Sequence, residues 1–375
     1  MTDENAQMMA RAIELAKFGD PSPNPHVGCV VVHNGTVAGE GFHEASGFDH
    51  AEIVALHAAG DRAKGATLYV TLEPCNHLGK TPPCVDAILE SGVVRVVIGC
   101  RDPNPNVRGG GIERLREAGV EVVLGVLETE AKTLVRPWSK FVLSGLSYLS
   151  LKLAVSLDGR IATRTGASKW ITCPQSRARV QELRVSHDAV MVGINTVSSD
   201  DPRLTVRDVP GRDPIRVVVD SKLRLPMTSQ LVTSAREIPT CVVTTIDSSR
   251  STGDSLEAAG VNVIRVPATA EGRCDMHTAL SELAAREVVS VLCEGGAELA
   301  GSLLAAGLVD EMHVFVAPIL LGPRGRPGAV DWAGPESPGD APRIENPHWE
   351  LCGADAYVSG PLAYPKRVVR PSTTG

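Results

Sequence analysis

Residues 67–91 read TLYVTLEPCNHLGKTPPCVDAILES, and together with His50-Ala51-Glu52 upstream they decide how the first half of the chain folds. Thr67 to Leu72 has the apolar, β-branched character of a strand, and 83–91 the spacing of a helix, with Cys75 just after the strand and Cys84 at the start of the helix. His50 stands at the start of another helical pattern, 51–59. One histidine and two cysteines fill three positions of a tetrahedral Zn²⁺ and leave the fourth to water, the arrangement of a catalytic zinc. Such a water ionises near neutral pH and becomes a nucleophile. Glu52, two residues from His50, is placed to take its proton and hand it to a leaving amine. Cys75 and Cys84 both read as lying at helix N-termini, where the dipole favours thiolates. A structural zinc with His77 as fourth ligand stays open, and Cys29 and Cys100, inside strand patterns, read as buried apolar residues.

The alternation of helix and strand extends outward from this stretch. Met8, Met9, Ala12, Ile13 and Ala16 lie at helical spacing within 6–18, and Val27 to His33 is followed by Asn34-Gly35 and a second run to Gly39, a hairpin signal. Strands at 93–100 and 120–125 with helices at 111–118 and 127–141 complete a layered α/β domain. A seam near 145 opens a second alternation. Its strands are expected at 148–155, 188–193, 215–219, 240–245, 261–266, 288–293 and 312–317, its helices at 174–184, 276–285 and 296–306. The expected domains are therefore 1–145 and 146–375, with 322–342 a surface excursion and the last ten residues frayed.

Composition sets the outer bounds. The chain has 375 residues, 43% of them hydrophobic, enough for two cores, and 44 acidic against 37 basic residues leave a net charge of −7. That balance gives no general attraction to nucleic acid or to anionic membranes, so an anionic substrate must be held by local basic residues. The acidic, amphipathic start and the lack of an 18-residue apolar run lead us to expect a cytoplasmic protein without a signal peptide or membrane partner. Nine irregularly spaced cysteines suit thiols or metal ligands better than a disulfide framework.

H-x-E followed by P-C-x-x-C marks zinc nucleobase deaminases, although here eight residues, Asn76 to Pro83, separate the cysteines. Pro23-Asn24-Pro25, Val27-Gly28, Gly41-Phe42-His43, His50-Ala51-Glu52, the block from Thr71 to Cys84 and Asp102-Pro103-Asn104-Pro105 resemble the deaminase half of the bifunctional riboflavin-biosynthesis deaminase/reductases. The eight-residue insertion is that family's own form of the motif. The resemblance implies a cytidine-deaminase-like three-layer α/β/α domain that removes the 2-amino group of a diaminopyrimidine ribosylamino 5′-phosphate. It also implies that Asn24, His43, His77, Lys80, Asp102 and Asn104 surround that substrate. On their own, Asn24, Asp102 and Asn104 read equally as turn residues of Pro-rich loops. Lys80, a cation beside the metal ligands, suits a phosphate.

In the second half, the strand Val288 to Cys293 runs through Glu294-Gly295-Gly296 into a helix, a place where backbone N–H groups can face an anion. G-x-G-x-x-G is lacking, so no Rossmann motif is read, and a simple tight turn stays open. Leu151 to Arg160, Ser168 to Thr172, Ser199 to Arg207 and Cys293 to Gly296 resemble the reductase half of the same family, so the likeness runs from about residue 5 to about 325. It implies a C-terminal dihydrofolate-reductase-like α/β domain that uses NADPH to reduce the ribosyl group to ribityl. By that resemblance Lys152 and Asp200 polarise and orient the substrate, which Ser168, Arg184, Leu204, Arg207 and Glu294 also contact; the two arginines take its 5′-phosphate. Ala154, Trp170, Thr196, Asp200 and the turn Gly296, Ala297, Glu298, Leu299, Ala300, Gly301, Ser302 line the cofactor site. Without the family, Arg184 reads as a helix-face charge. The chain departs from the family at Val135-Arg136-Pro137-Trp138 and Ser147-Tyr148, none of them an expected site residue. The rival, a nucleic-acid deaminase with a non-catalytic binding domain, wants a basic face and aromatics for stacking, against 3% aromatic residues and net −7 here. The expected partner is a small phosphorylated pyrimidine, with homo-oligomers left open.

Overall fold

Asn34 and Gly35 take left-handed φ angles of 50° and 73°, the backbone that a two-residue turn needs to match strand twist, and so join β1 (Gly28–His33) to β2 (Thr36–Phe42). The computed structural model that shows this describes residues 3–77, 82–104, 110–322, 324 and 328–365. Its contacts divide the chain into two units, 1–146 and 147–375.

In the first unit, β1 also pairs antiparallel with β3 (Thr67–Leu72), and β3, β4 (Arg95–Cys100) and β5 (Glu121–Leu124) run parallel, giving the order β2-β1-β3-β4-β5. One face of this sheet is covered by α1 (Asp3–Ala16), where Met9, Ala12 and Leu15 meet Val30, Tyr69 and Val97. The other face carries α2 (Ala51–Ala59), α3 (Cys84–Glu90) and α4 (Gly111–Glu117), whose Ala55, Ile88 and Leu115 pack with Val31, Leu68 and Val96. Sheet faces buried on both sides require such apolar runs. A Cβ at Gly41 would lie 2.5 Å from the Ala51 carbonyl oxygen, so glycine on β2 is what lets the first turn of α2, with His50 and Glu52, sit against the sheet. The single helix expected over 127–141 is two, α5 (Glu128–Leu134) and α6 (Arg136–Ser144), because Pro137 has no N–H for the helical ladder and its ring crowds the preceding turn.

The second unit is built on β6 (Tyr148–Ser156), β7 (Ala189–Gly193), β8 (Ile215–Val219), β9 (Thr240–Thr245), β10 (Asn262–Val266), β11 (Ser290–Cys293) and β12 (Glu311–Ala317), all parallel in the order β10-β9-β8-β7-β11-β6-β12. Crossovers carry α7 (Pro174–Val185), α8 (Ile194–Asp200), α9 (Gln230–Thr233), α10 (Arg250–Ala258), α11 (Met276–Ala284) and α12 (Ala297–Ala305). An antiparallel edge of β13 (Arg343–Ile344), β14 (His348–Cys352) and β15 (Asp355–Ala363) closes the sheet, β15 lying beside β12.

The sequence reading missed α8, α9, α10 and β13 to β15. Helix α10 holds Ser251, Thr252, Gly253 and Asp254, poor helix formers, and is started by Ser249, whose Oγ accepts the Thr252 N–H at 3.2 Å. Strand β15 is interrupted in pattern by Gly360-Pro361. Of 322–342, the described residues hold one short 3₁₀ turn at Pro338–Asp340, and Asp331 N–H donates to Ala297 O at 2.9 Å, which ties the excursion to the start of α12. The expected fraying of the last ten residues falls on 366–375, outside the described residues. Among the described residues no helix is long and apolar enough to cross a membrane.

Candidate active sites

His50 caps the start of α2, Cys84 is the first residue of α3, and Cys75 sits in the loop that leaves β3, so strand and helix ends aim three ligand atoms at one point. The expectation that Cys75 also lies at a helix N-terminus is corrected: it is held in a loop by the Cys84 N–H, which donates to its sulfur at 3.3 Å. His50 Nδ1 is 3.1 Å from Cys84 Sγ and 3.6 Å from Cys75 Sγ, and all three ligand atoms lie within 4.8 Å of one another. Tetrahedral zinc with bonds of about 2.0–2.3 Å needs neighbouring ligands about 3.5 Å apart, so this donor set fits zinc. His77 is exposed and outside the cluster, and among the described residues the only metal-ligand group has these three members, so His77 is not the fourth ligand of a structural site. The Cys75 thiol is pulled down to about 4, chiefly by hydrogen bonding from Cys84 and then by His50, and Cys84 is pushed up in turn. Glu52 is buried, within hydrogen-bonding reach of Cys84, and burial pushes its carboxyl up to about 6. Cys29 and Cys100 are buried in strands.

A cavity of about 300 Å³ opens over these ligands and is lined by Asn24, His43, His50, Glu52, Cys75, His77, Asp102 and Asn104. The sequence thus brings to one place almost every residue expected around the pyrimidine; Lys80 lies outside the described residues. His43 is buried with Nδ1 3.0 Å from Asp49 O and Nε2 3.0 Å from Asn24 Nδ2, which assigns the Nδ1–H tautomer and a neutral ring; burial lowers its pKa. Burial likewise raises the Asp102 carboxyl to about 6. Lining residues that were not expected as site residues include Phe48, Glu73 and Trp138. Trp138 belongs to the stretch set aside as a mere family departure, whereas here it forms part of the wall.

In the second unit, Lys152 on β6, Arg184 on the last turn of α7 and Glu294 just after β11 come together. Arg184 Nε and Nη2 grip the Glu294 carboxylate, the second bond at 2.9 Å, and its Nη1 donates to Thr205 O at 2.6 Å. The guanidinium expected on the substrate phosphate is thus engaged within the protein. Burial pushes the Glu294 carboxyl up, but Arg184, Lys152 and Arg207 outweigh it and hold it below its ordinary range; burial lowers the Lys152 ammonium. Arg207 is exposed, its backbone N–H fixed to Gln181 Oε1 at 3.0 Å. Leu204 is buried at a left-handed φ of 54°.

Ala154 follows Lys152 on the same face of β6, half-buried, and Ser168 is half-buried in the connection that leads to α7. Trp170 is 66% exposed with the Arg177 guanidinium 4.5 Å from its ring centre, and Asp200, at the end of α8, lies 3.9 Å from Lys169 Nζ. Thr196 Oγ1 would be 3.7 Å from a Cβ on Gly296. The stretch from Gly296 to Ser302 forms the start of α12, the helix expected there: Ala297, Leu299, Ala300 and Gly301 are buried, and Glu298 faces out to Arg273 at 3.7 Å. Among the described residues no side chain caps α12, whose N-cap is Gly296.

Comparison with known proteins follows the same division. The model of the cytidine and deoxycytidylate deaminase zinc-binding region matches residues 2–100, and that of the RibD C-terminal domain matches 147–358. The chain is 44% identical over 355 residues to the riboflavin biosynthesis protein RibD of Bacillus amyloliquefaciens, covering 94% of each. It is 42% identical over 365 residues to that of Escherichia coli strain K12, covering 93% of this chain and 97% of the other. Among solved structures, Acinetobacter baumannii RibD superposes with a TM-score of 0.84 at 38% identity, over 96% of this chain and 99% of that one. The diaminohydroxyphosphoribosylaminopyrimidine deaminase/5-amino-6-(5-phosphoribosylamino)uracil reductase of Thermotoga maritima does so with 0.84 at 36% identity, with the same coverage.

Proposed function

The chain belongs to the family of the riboflavin biosynthesis protein RibD, and from that premise we propose the residues by which it carries out two successive reactions, zinc-dependent deamination in 1–145 and NADPH-dependent reduction in 146–375. It is a bifunctional enzyme of riboflavin biosynthesis. The first reaction hydrolyses the 2-amino group of 2,5-diamino-6-(5-phosphoribosylamino)pyrimidin-4-one; the second converts the ribosyl group of the product to ribityl. The rival reading, a deaminase with a non-catalytic binding domain, gives way to the match of the second half to the RibD C-terminal domain.

The observation that carries the deaminase assignment is the convergence of His50, Cys75 and Cys84 at zinc-ligand spacing with Glu52 buried beside them. Bound there, zinc supplies Lewis acidity and lowers the pKa of the attacking water. Glu52 takes a proton from that water and delivers it to the departing amine, and its raised pKa suits both halves of the transfer. His43, kept neutral, and Asn24 orient the pyrimidine from one side, Asp102 and Asn104 from the other. In the second unit, NADPH when bound supplies the hydride, while its phosphates suit the open N-terminus of α12. Lys152 and Asp200 orient the sugar carbon that accepts it. Arg207, exposed, serves the substrate phosphate, while Arg184 holds Glu294 in place. The reading is tested by supplying the diaminopyrimidine phosphate and following ammonia and NADPH absorbance together. Ammonia release followed by NADPH oxidation supports it, and ammonia release that never leads to oxidation removes the reductase half.

A further inference from the structure

We propose that Glu73 is a positioning residue for deamination, which holds Asp102 and Asn104 in register with the zinc-bearing loop; this rests on the reading above that those two residues face the substrate. Strands β3 and β4 end level, Leu72 beside Cys100, and the Glu73 N–H extends their ladder by one bond to Cys100 O at 2.9 Å. From this point Pro74 and Cys75 lead to the metal, while the Glu73 side chain turns toward the connection between β4 and α4. Its Oε2 accepts the Asp102 N–H and its Oε1 the Ile112 N–H, each at 3.2 Å. The two ends of that connection therefore hang on one carboxylate. Asp102 passes the constraint on, since its Oδ1 accepts the Asn104 N–H at 2.7 Å.

Glu73, Asp102 and Asn104 line the same cavity as His50 and Cys75, yet Glu73 is only 8% exposed, so its oxygens are directed at the backbone. A nearly buried carboxylate is tolerated only with such donors. Both oxygens are needed: a glutamine of the same shape keeps one acceptor and turns an amide donor toward one of the two backbone N–H groups. The loop that reads the substrate would then lose its fixed distance from the metal, with zinc binding untouched.

The test is steady-state deamination by full-length Glu73→Gln, with zinc content and NADPH-dependent reduction of the deaminated substrate measured on the same protein. The expected result is a KM raised about tenfold or more, kcat within about threefold, and zinc content and reduction unchanged. A fall in kcat or in zinc content at unchanged KM overturns the proposal, because Glu73 would then serve the proton transfer or the metal loop. Asn104→Ala isolates the premise: if it leaves KM unchanged, the reading of this loop as substrate-facing fails. If Asn104→Ala raises KM and the double variant shows the full product of the two single effects, the positioning role fails; a smaller combined effect supports it. If Glu73→Gln does not fold, Glu73→Asp, which keeps both oxygens but shortens their reach, is judged by the same KM-against-kcat split.

Discussion

In the first unit the side chains at zinc-ligand spacing come from positions 50 to 84, carried by two helix starts and one loop at the end of a single strand. In the second, the group around Glu294 draws Lys152 from β6 and Arg184 from 110 residues upstream, and the sheet between them makes the meeting possible. The difference is one of what is at stake locally. A metal site imposes residue types and spacings that are written into short stretches of chain, whereas a cleft for a large cofactor is shaped by backbone and by charges that must first find one another. It follows that damage to the first site should abolish chemistry with the fold intact, and damage to the second should cost stability along with activity.

The largest effect is expected at Glu52. Glu52→Gln fills the same volume but cannot shuttle a proton, so ammonia release should fall by about 10²- to 10⁴-fold while zinc content and NADPH oxidation with the deaminated substrate stay at parent values. Release within a few-fold of the parent would show the role to be misassigned. At the second site, Glu294→Gln leaves the Arg184 guanidinium, 9% exposed, without its carboxylate. Breaking a buried pair from one side costs about 3–5 kcal/mol, so the urea unfolding transition of the second unit should move to clearly lower concentration together with the loss of reduction. An unmoved transition would make this pair as expendable as a surface one.

How far each site could be read in advance follows from the same contrast. Asn34-Gly35, His50-Ala51-Glu52 and Cys84 after two prolines pointed to the hairpin and to the cluster that the structure brings together, because each is a local rule in which residue type dictates geometry. The pairing of Arg184 was not legible, since nothing around 184 announces a carboxylate at 294. Glu73 and Trp138 were passed over for a related reason: one acts through backbone N–H groups that leave no sequence mark, and the other lies on a helix remote in sequence from the motif. Helix α10 and strand β15 escaped because tertiary packing overrides weak propensity there.

A smaller effect separates the two arginines. Arg207→Ala should raise the KM for the phosphorylated substrate about ten- to a hundredfold, a charged hydrogen bond to phosphate being worth about 1.5–3 kcal/mol, and leave the KM for NADPH unchanged. The opposite pattern would assign Arg207 to the cofactor. An effect of comparable size lies in the core of the second unit. His313, with Nδ1 2.7 Å from the Tyr357 hydroxyl, is lowered to about 3 by burial, with His187 and Arg179 adding to the shift. Because the unfolded chain binds a proton there below pH 6.5 and the folded chain does not, the stability contribution is complete above 6.5 and is lost on acidification, by about 1.4 kcal/mol per pH unit until the folded pKa is reached. Urea midpoints at pH 7 and pH 5 should show the loss, and His313→Gln should flatten it; an equal slope in the variant would place the titration elsewhere.

The central claim is that this chain holds two chemistries that depend on different groups. It is tested most directly by removing zinc from the full-length protein with a chelator and following ammonia release from the diaminopyrimidine phosphate and NADPH oxidation with the already deaminated substrate. The account predicts that ammonia release is lost and returns with added zinc while NADPH oxidation continues at its original rate. Loss of both activities together, or ammonia release that survives complete removal of the metal, would contradict it.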